Sequence, residues 1–137
     1  MDQKFPRSID TIDEVFSFIT RFAERYKLKP DVLQAINLAV EEIFTNMVKY
    51  NRDREEPIEL GLHYSETAVT VTLTDIEDKP FDVTKSKVYD LNQSLEQRPV
   101  GRLGLYLVNK MMDKIDFRHD NKKTTITMVK FLGDQDV

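Results

Sequence analysis

Residues 58–75 read IELGLHYSETAVTVTLTD, and this stretch decides the architecture. Ile58, Leu60, Leu62 and Tyr64 alternate with polar or small residues. Val69, Val71 and Leu73 alternate with Thr70, Thr72 and Thr74. A period of two turns one side of each strand toward a core and the other toward water. Only residues 65–67 separate the two runs, far too few for a parallel crossover. The pair is therefore predicted to be an antiparallel hairpin.

Outward from the hairpin, the spacing changes to that of helices. In residues 31–50, Ile36, Ala39, Val40, Ile43, Met47 and Tyr50 form one apolar face, with Asp31 as a capping residue. In residues 8–29, Ile9, Ile12, Val15, Phe16, Ile19, Phe22, Ala23 and Tyr26 recur at three- and four-residue steps. Ser8 is the expected N-cap, and Pro30 ends the run. Residues 51–57, NRDREEP, make a polar break.

On the other side, residues 75–100 hold Pro80 and Pro99 and show no periodicity. An aperiodic run of about 25 residues in a compact domain points to a lid or binding loop. Residues 103–113 return to helical spacing through Leu105, Val108, Met111 and Met112. Residues 115–118 and 124–132 read as a closing hairpin about Asp120-Asn121-Lys122-Lys123. These elements predict one α+β domain over residues 1–137. It is a two-layer sandwich, a mostly antiparallel sheet with helices on one face.

Composition narrows the function. The chain has no cysteine, which excludes disulfides, thiolate metal sites and cysteine catalysis. His63 and His119 are not at metal-ligand spacing. A net charge of −4 speaks against a basic nucleic-acid footprint. No apolar run approaches the roughly 20 residues of a membrane span. The N-terminal MDQKFPRSID has no apolar signal core. A cytoplasmic protein is expected, with neither nucleic acid nor membrane as a direct partner.

Three pieces can carry chemistry. Glu42 and Asn46 are one helical turn apart and flank the apolar stripe. A carboxylate and an amide beside a core are costly to bury without partners. On spacing alone the pair reads first as a solvated helix edge. Two of the four glycines fall in Arg98-Pro99-Val100-Gly101-Arg102-Leu103-Gly104-Leu105-Tyr106-Leu107-Val108, where a helix opens. Free N–H groups and the positive end of the helix dipole suit phosphate there, although tight packing accounts equally for both glycines. Asp75 ends the hairpin, where its carboxylate can accept from an exocyclic amine or merely start a turn.

In order and spacing these pieces resemble the ATP-binding domain of the gyrase and histidine-kinase superfamily, the Bergerat fold. More closely, the chain is similar over nearly its whole length to the bacterial anti-sigma-factor serine/threonine kinases. Glu41-Glu42-Ile43-Phe44-Thr45-Asn46 matches that family's helix motif, and the Arg98–Val108 run its second glycine box. The resemblance implies that Asn46 coordinates Mg²⁺ and that Glu42 is the general base. It implies that Asp75 binds the adenine amine, with Thr125 in support. Gly101, Arg102, Leu103, Gly104 and Leu105 would hold the phosphates, beneath a lid of residues 84–100. It further implies ATP as phosphoryl donor, an anti-anti-sigma protein as substrate, a sigma factor as the sequestered partner, and a homodimer.

Two positions depart from the pattern. Glu77 stands where the first glycine box has glycine, in Asp75-Ile76-Glu77-Asp78-Lys79-Pro80-Phe81-Asp82. Arg102 stands where the second box often has one. Without glycine the backbone cannot approach a purine as closely. A kinase and a nucleotide-impaired partner-binding module therefore both remain open. A histidine-kinase ATP-binding half is disfavoured, because no helix bearing a phospho-acceptor histidine precedes the domain in this sequence.

Overall fold

The computed structural model describes residues 1–50, 55–76 and 102–133. The chain runs β1 (Asp2–Phe5), a 3₁₀ turn (Ile9–Thr11), α1 (Ile12–Tyr26), α2 (Pro30–Tyr50), β2 (Ile58–Tyr64), β3 (Ala68–Ile76), α3 (Arg102–Met111), β4 (Lys114–Asp120) and β5 (Lys123–Phe131). The strands form one sheet in the order β1-β2-β3-β5-β4, antiparallel at every pairing. The α+β sandwich read from the sequence is the observed architecture. The expected lid and the Glu77–Asp82 stretch lie outside the described residues, as does Gly101.

The period-two pattern sorts the sheet as anticipated. Leu60 pairs with Leu73 and Leu62 with Val71, and these in turn meet Ile126 and Met128 of β5. All six are 0% exposed and face the helical layer. The opposite face carries Thr70, Thr72, Thr74, Thr125 and Thr127, all half-buried. Threonine suits such a face, since its branched β-carbon packs on the pleat while its hydroxyl stays near water.

Helix α1 buries Val15, Phe18, Ile19, Phe22 and Ala23. Phe18 rather than Phe16 completes the stripe, and Ile9 is 47% exposed on the 3₁₀ turn. Ser8 does cap that turn, its hydroxyl accepting from the Asp10 N–H at 3.2 Å. The helix ends at Tyr26 because Lys27 adopts φ 54°, a left-handed cap closed by hydrogen bonds to the Ala23 and Glu24 carbonyls. Pro30 opens α2 at the one helical position where its missing N–H costs nothing. Helix α2 adds Val32, Ala35 and Phe44 to the predicted face and leaves Asp31, Gln34, Leu38 and Lys49 exposed on the other side. It packs against α1, α3 and β3, which makes it the central element of the helical layer.

Strand β1 escaped the sequence reading. It holds one buried apolar residue, Phe5, and lies at the sheet edge. Phe5 reaches the core and meets the Phe18 ring edge-on, with centroids 5.7 Å apart. Gly61 marks the close approach of this strand. A β-carbon there would stand 2.5 Å from Thr72 Oγ1 and 2.6 Å from Asp2 Oδ1. Truncating Phe5 to alanine is expected to cost about 3–5 kcal/mol, as for other buried aromatic deletions. Urea unfolding measures it, and a loss below about 1 kcal/mol would show that β1 is not part of the core.

Candidate functional site

Helix α2 sets the first part of the site. Glu42 and Asn46 lie in its C-terminal half, one turn apart. Asn46 is 1% exposed. Its Nδ2 donates to the Glu42 main-chain carbonyl at 2.7 Å. Thr45 Oγ1 donates to the Glu41 carbonyl at 2.8 Å and more weakly to that of Glu42 at 3.2 Å. With its nitrogen so engaged, Asn46 has its amide oxygen as the group that can meet a hard cation.

The Glu42 carboxyl is held above the usual carboxylate range. Burial is the main cause, and neighbouring Glu41 adds to it. Lys49 and a hydrogen bond from the Asn46 side chain oppose the shift. A carboxylate raised in this way is a better proton acceptor at neutral pH than an exposed one.

The second part sits at the end of β3. Asp75 is 0% exposed and cannot stay charged there without a partner. Arg7 supplies one, with its Nη2 on Asp75 Oδ1 and its own side chain 2% exposed. The same guanidinium donates from Nε to the Glu56 carbonyl at 3.1 Å and from Nη1 to the Met47 carbonyl at 3.4 Å. Met47 follows Asn46 directly, so Arg7 fastens Asp75 to the end of α2 that carries Asn46. No sequence reading singled out Arg7. Its one signal was a lone arginine, between Pro6 and Ser8, in a segment otherwise expected to be only a helix lead-in.

The closing strand alters one expectation. Asp75 pairs in register with Thr124, and both are fully buried on the inner face. Thr125 pairs with Thr74 and lies on the outer face. Thr124, which shares the parity of Ile126 and Met128, is therefore the threonine beside Asp75. Its hydroxyl lies 2.8 Å from His119 Nδ1.

The third part is the start, at Arg102, of helix α3, a helix in contact with α2. Arg102, Leu103, Gly104 and Leu105 form its first turn, where main-chain N–H groups are unused by the helix itself. Their side chains lie outside the description, so the structure tests their backbone setting alone. Among the described residues no cluster of three or more His, Cys, Asp or Glu could hold a metal. A lone amide oxygen suits Mg²⁺ that arrives with phosphate oxygens rather than one resident in a protein cage.

A family model described as the histidine kinase-like ATPase domain matches residues 5–130. The chain is 30% identical to the serine-protein kinase RsbW of Bacillus mycoides (strain KBAB4), an alignment covering 100% of this chain and 88% of the relative. It is 29% identical to the RsbW of Bacillus cereus (strain B4264) over the same shares. Among solved structures it is similar to a chain of the SiaB–SiaC complex from Pseudomonas aeruginosa. That match has a TM-score of 0.60 at 12% identity, covering 96% of this chain and 89% of the other. At that identity the likeness concerns the fold alone.

The raised Glu42 yields a test of the geometry that needs no ligand. The unfolded chain ionises Glu42 in the ordinary carboxylate range, and the folded chain only at higher pH. Across that window the folded state binds the extra proton, so this group's contribution falls as pH rises and stays unfavourable above it. Glu42→Gln removes the charge and should raise the melting temperature at pH 7. The gain should vanish on acidification below the ordinary carboxylate range. A gain that is flat with pH would contradict the assigned cause.

Proposed function

Because this chain belongs to the anti-sigma-factor kinase group of the histidine kinase-like ATPase domain family, we propose that it binds Mg-ATP and phosphorylates a protein hydroxyl. The observation that carries this reading is the pairing of Asn46 and Glu42 on a buried edge of α2, tied through Met47 and Arg7 to Asp75. A cation ligand, a raised base and a buried carboxylate thus share one end of the helical layer.

Each group has a role that phosphoryl transfer requires, which is positioning and charge compensation rather than covalent chemistry. The Asn46 oxygen ligates the metal that accompanies the phosphates and offsets their charge. The N–H groups of the α3 first turn, with Gly101 before it, bind phosphate oxygens at the positive end of the helix dipole. Glu42 takes the proton of the attacking serine or threonine hydroxyl. Asp75 accepts from the exocyclic amine of adenine. Thr124 stands beside it in the place first expected for Thr125. The substrate is an anti-anti-sigma protein, and the unphosphorylated partner competes with a sigma factor for this chain, which acts as a homodimer in the cytoplasm. None of the described helices is long and apolar enough to cross a membrane.

A second reading is favoured by Glu77, which stands where the first glycine box has glycine. On that reading the chain captures its partner without turning over ATP.

Calorimetry and a transfer assay separate the two. Wild-type chain should bind Mg-ATP in the micromolar range, and Asn46→Ala should weaken binding about 10-fold or more. With labelled ATP and candidate partner proteins, Glu42→Gln should cut transfer by about 10²–10⁴-fold while leaving ATP affinity nearly intact. A folded wild-type sample that gives no heat with Mg-ATP would sink the kinase. Partner capture untouched by Asn46→Ala would favour the binding module.

A further inference from the structure

Arg7 lies in no motif that the proposed chemistry uses, yet its buried side chain donates to three acceptors. Its main chain is pinned on both sides. The Thr11 hydroxyl donates to the carbonyls of Pro6 and Ser8, and the Ser8 N–H donates to the Pro6 carbonyl at 2.8 Å. Its side chain reaches three acceptors on three different segments: the end of α2, the lead into β2 and the end of β3. A planar fork with fixed donor directions suits such a position, and an ammonium could not reproduce it.

The consequence for Asp75 is chemical. An ionised carboxylate only accepts hydrogen bonds, whereas a protonated one also donates. A fully buried carboxylate lacking a cation takes up a proton. Donor character at this atom decides which purine fits beside it. A 6-amino purine presents N–H and needs an acceptor. A 6-oxo purine presents a carbonyl at that position, with its N–H moved to N1, so a group facing position 6 must donate to it.

We propose that Arg7 is a positioning residue for nucleobase selection, holding Asp75 as an acceptor-only carboxylate so that the site takes 6-amino and rejects 6-oxo purine nucleotides. This rests on the reading of Asp75 as the base-contacting group. It does not require the rest of that carboxylate to be unengaged, since each oxygen offers more than one acceptor position. Arg7 acts through Asp75 and itself touches no nucleotide.

The test is titration calorimetry of Mg-ATP against Mg-inosine triphosphate, whose bases differ in the 6-amino against 6-oxo group and in the proton that the latter carries on N1. Wild-type chain should prefer ATP by on the order of 100-fold. Arg7→Met should narrow that preference at least 10-fold, by weakening ATP and strengthening the inosine nucleotide. Arg7→Gln, which keeps hydrogen-bonding capacity without the charge, should do the same. It decides the question if Arg7→Met does not fold, as judged by circular dichroism. A folded variant that keeps the wild-type ratio, or weakens both nucleotides equally, overturns the inference and leaves Arg7 a purely structural clamp. Wild-type chain that binds neither nucleotide overturns the proposed function as well. Wild-type chain that binds both equally overturns the role of Asp75 while leaving the metal and base positions of α2 standing.

Discussion

A carboxylate with no exposed surface must be compensated, and that requirement at Asp75 organises the molecule around it. Strand β3 is central in the sheet, with β2 on one side and β5 on the other. Its last inward position would ordinarily hold an aliphatic residue, as Val69, Val71 and Leu73 do before it. Placing Asp75 there obliges the fold to bring a cation to the end of the strand. Arg7 does so from the far N-terminus, and the short β1 and the 3₁₀ turn hold it in place. A small edge strand thereby becomes part of the site's framework. Buried ion pairs of this kind seldom add net stability over an apolar pair of the same volume. Their retention is better explained by what the charge does than by what it stabilises.

The parts of the fold that were legible in the sequence are those fixed by local periodicity. The β2–β3 hairpin followed from alternation and a short turn, and α1 and α2 from apolar spacing and their boundary residues. The closing hairpin followed from its polar turn, which the structure builds with Asn121 and Lys122 both at positive φ. What was not legible depended on partners distant in sequence. Arg7 and Asp75 are 68 positions apart, and nothing local to either announces the other. Strand β1 offers one apolar residue in four, because an edge strand buries little and keeps its remaining side chains polar. Phe44 was missed because it lies at the edge of a buried face broader than the stripe that spacing alone marks. The Thr124 and Thr125 assignment is instructive in a different way. A shift of one residue exchanges the faces of a strand, and parity with Ile126 and Met128 puts Thr124, not Thr125, on the face of Asp75.

The chemistry of α2 carries a cost visible in Glu42. Burial beside Glu41 opposes its ionisation, while Lys49 and Asn46 recover only part of the loss. A glutamine at this position would satisfy the helix without that conflict. The carboxylate at this position fits the proposed role, in which its proton affinity is used. The neighbouring Asn46 follows the same logic, since an amide only 1% exposed turns its Nδ2 to a carbonyl of its own helix. The two positions are polar for reasons that the packing of α2 does not supply.

The two helices that bear the site are also finished in the same way. The last turn of α2 gives its Met47 carbonyl to Arg7. The last turn of α3 gives its Met111 carbonyl to Lys130 Nζ at 2.9 Å. In both, a cation from a distant segment meets carbonyls that the helix leaves unpaired, at the end where the dipole is negative. Each contact fixes its helix along the axis as well as against the sheet. For α2 the fixed end carries Asn46. For α3 the cation meets the C-terminal end, so the positive end at Arg102 is set at a defined distance along a rigid rod. Phosphoryl transfer asks for groups held within fractions of an ångström. A framework in which the proposed metal ligand, the proposed base and the helix start proposed to face phosphate all stand on pinned helices meets that demand.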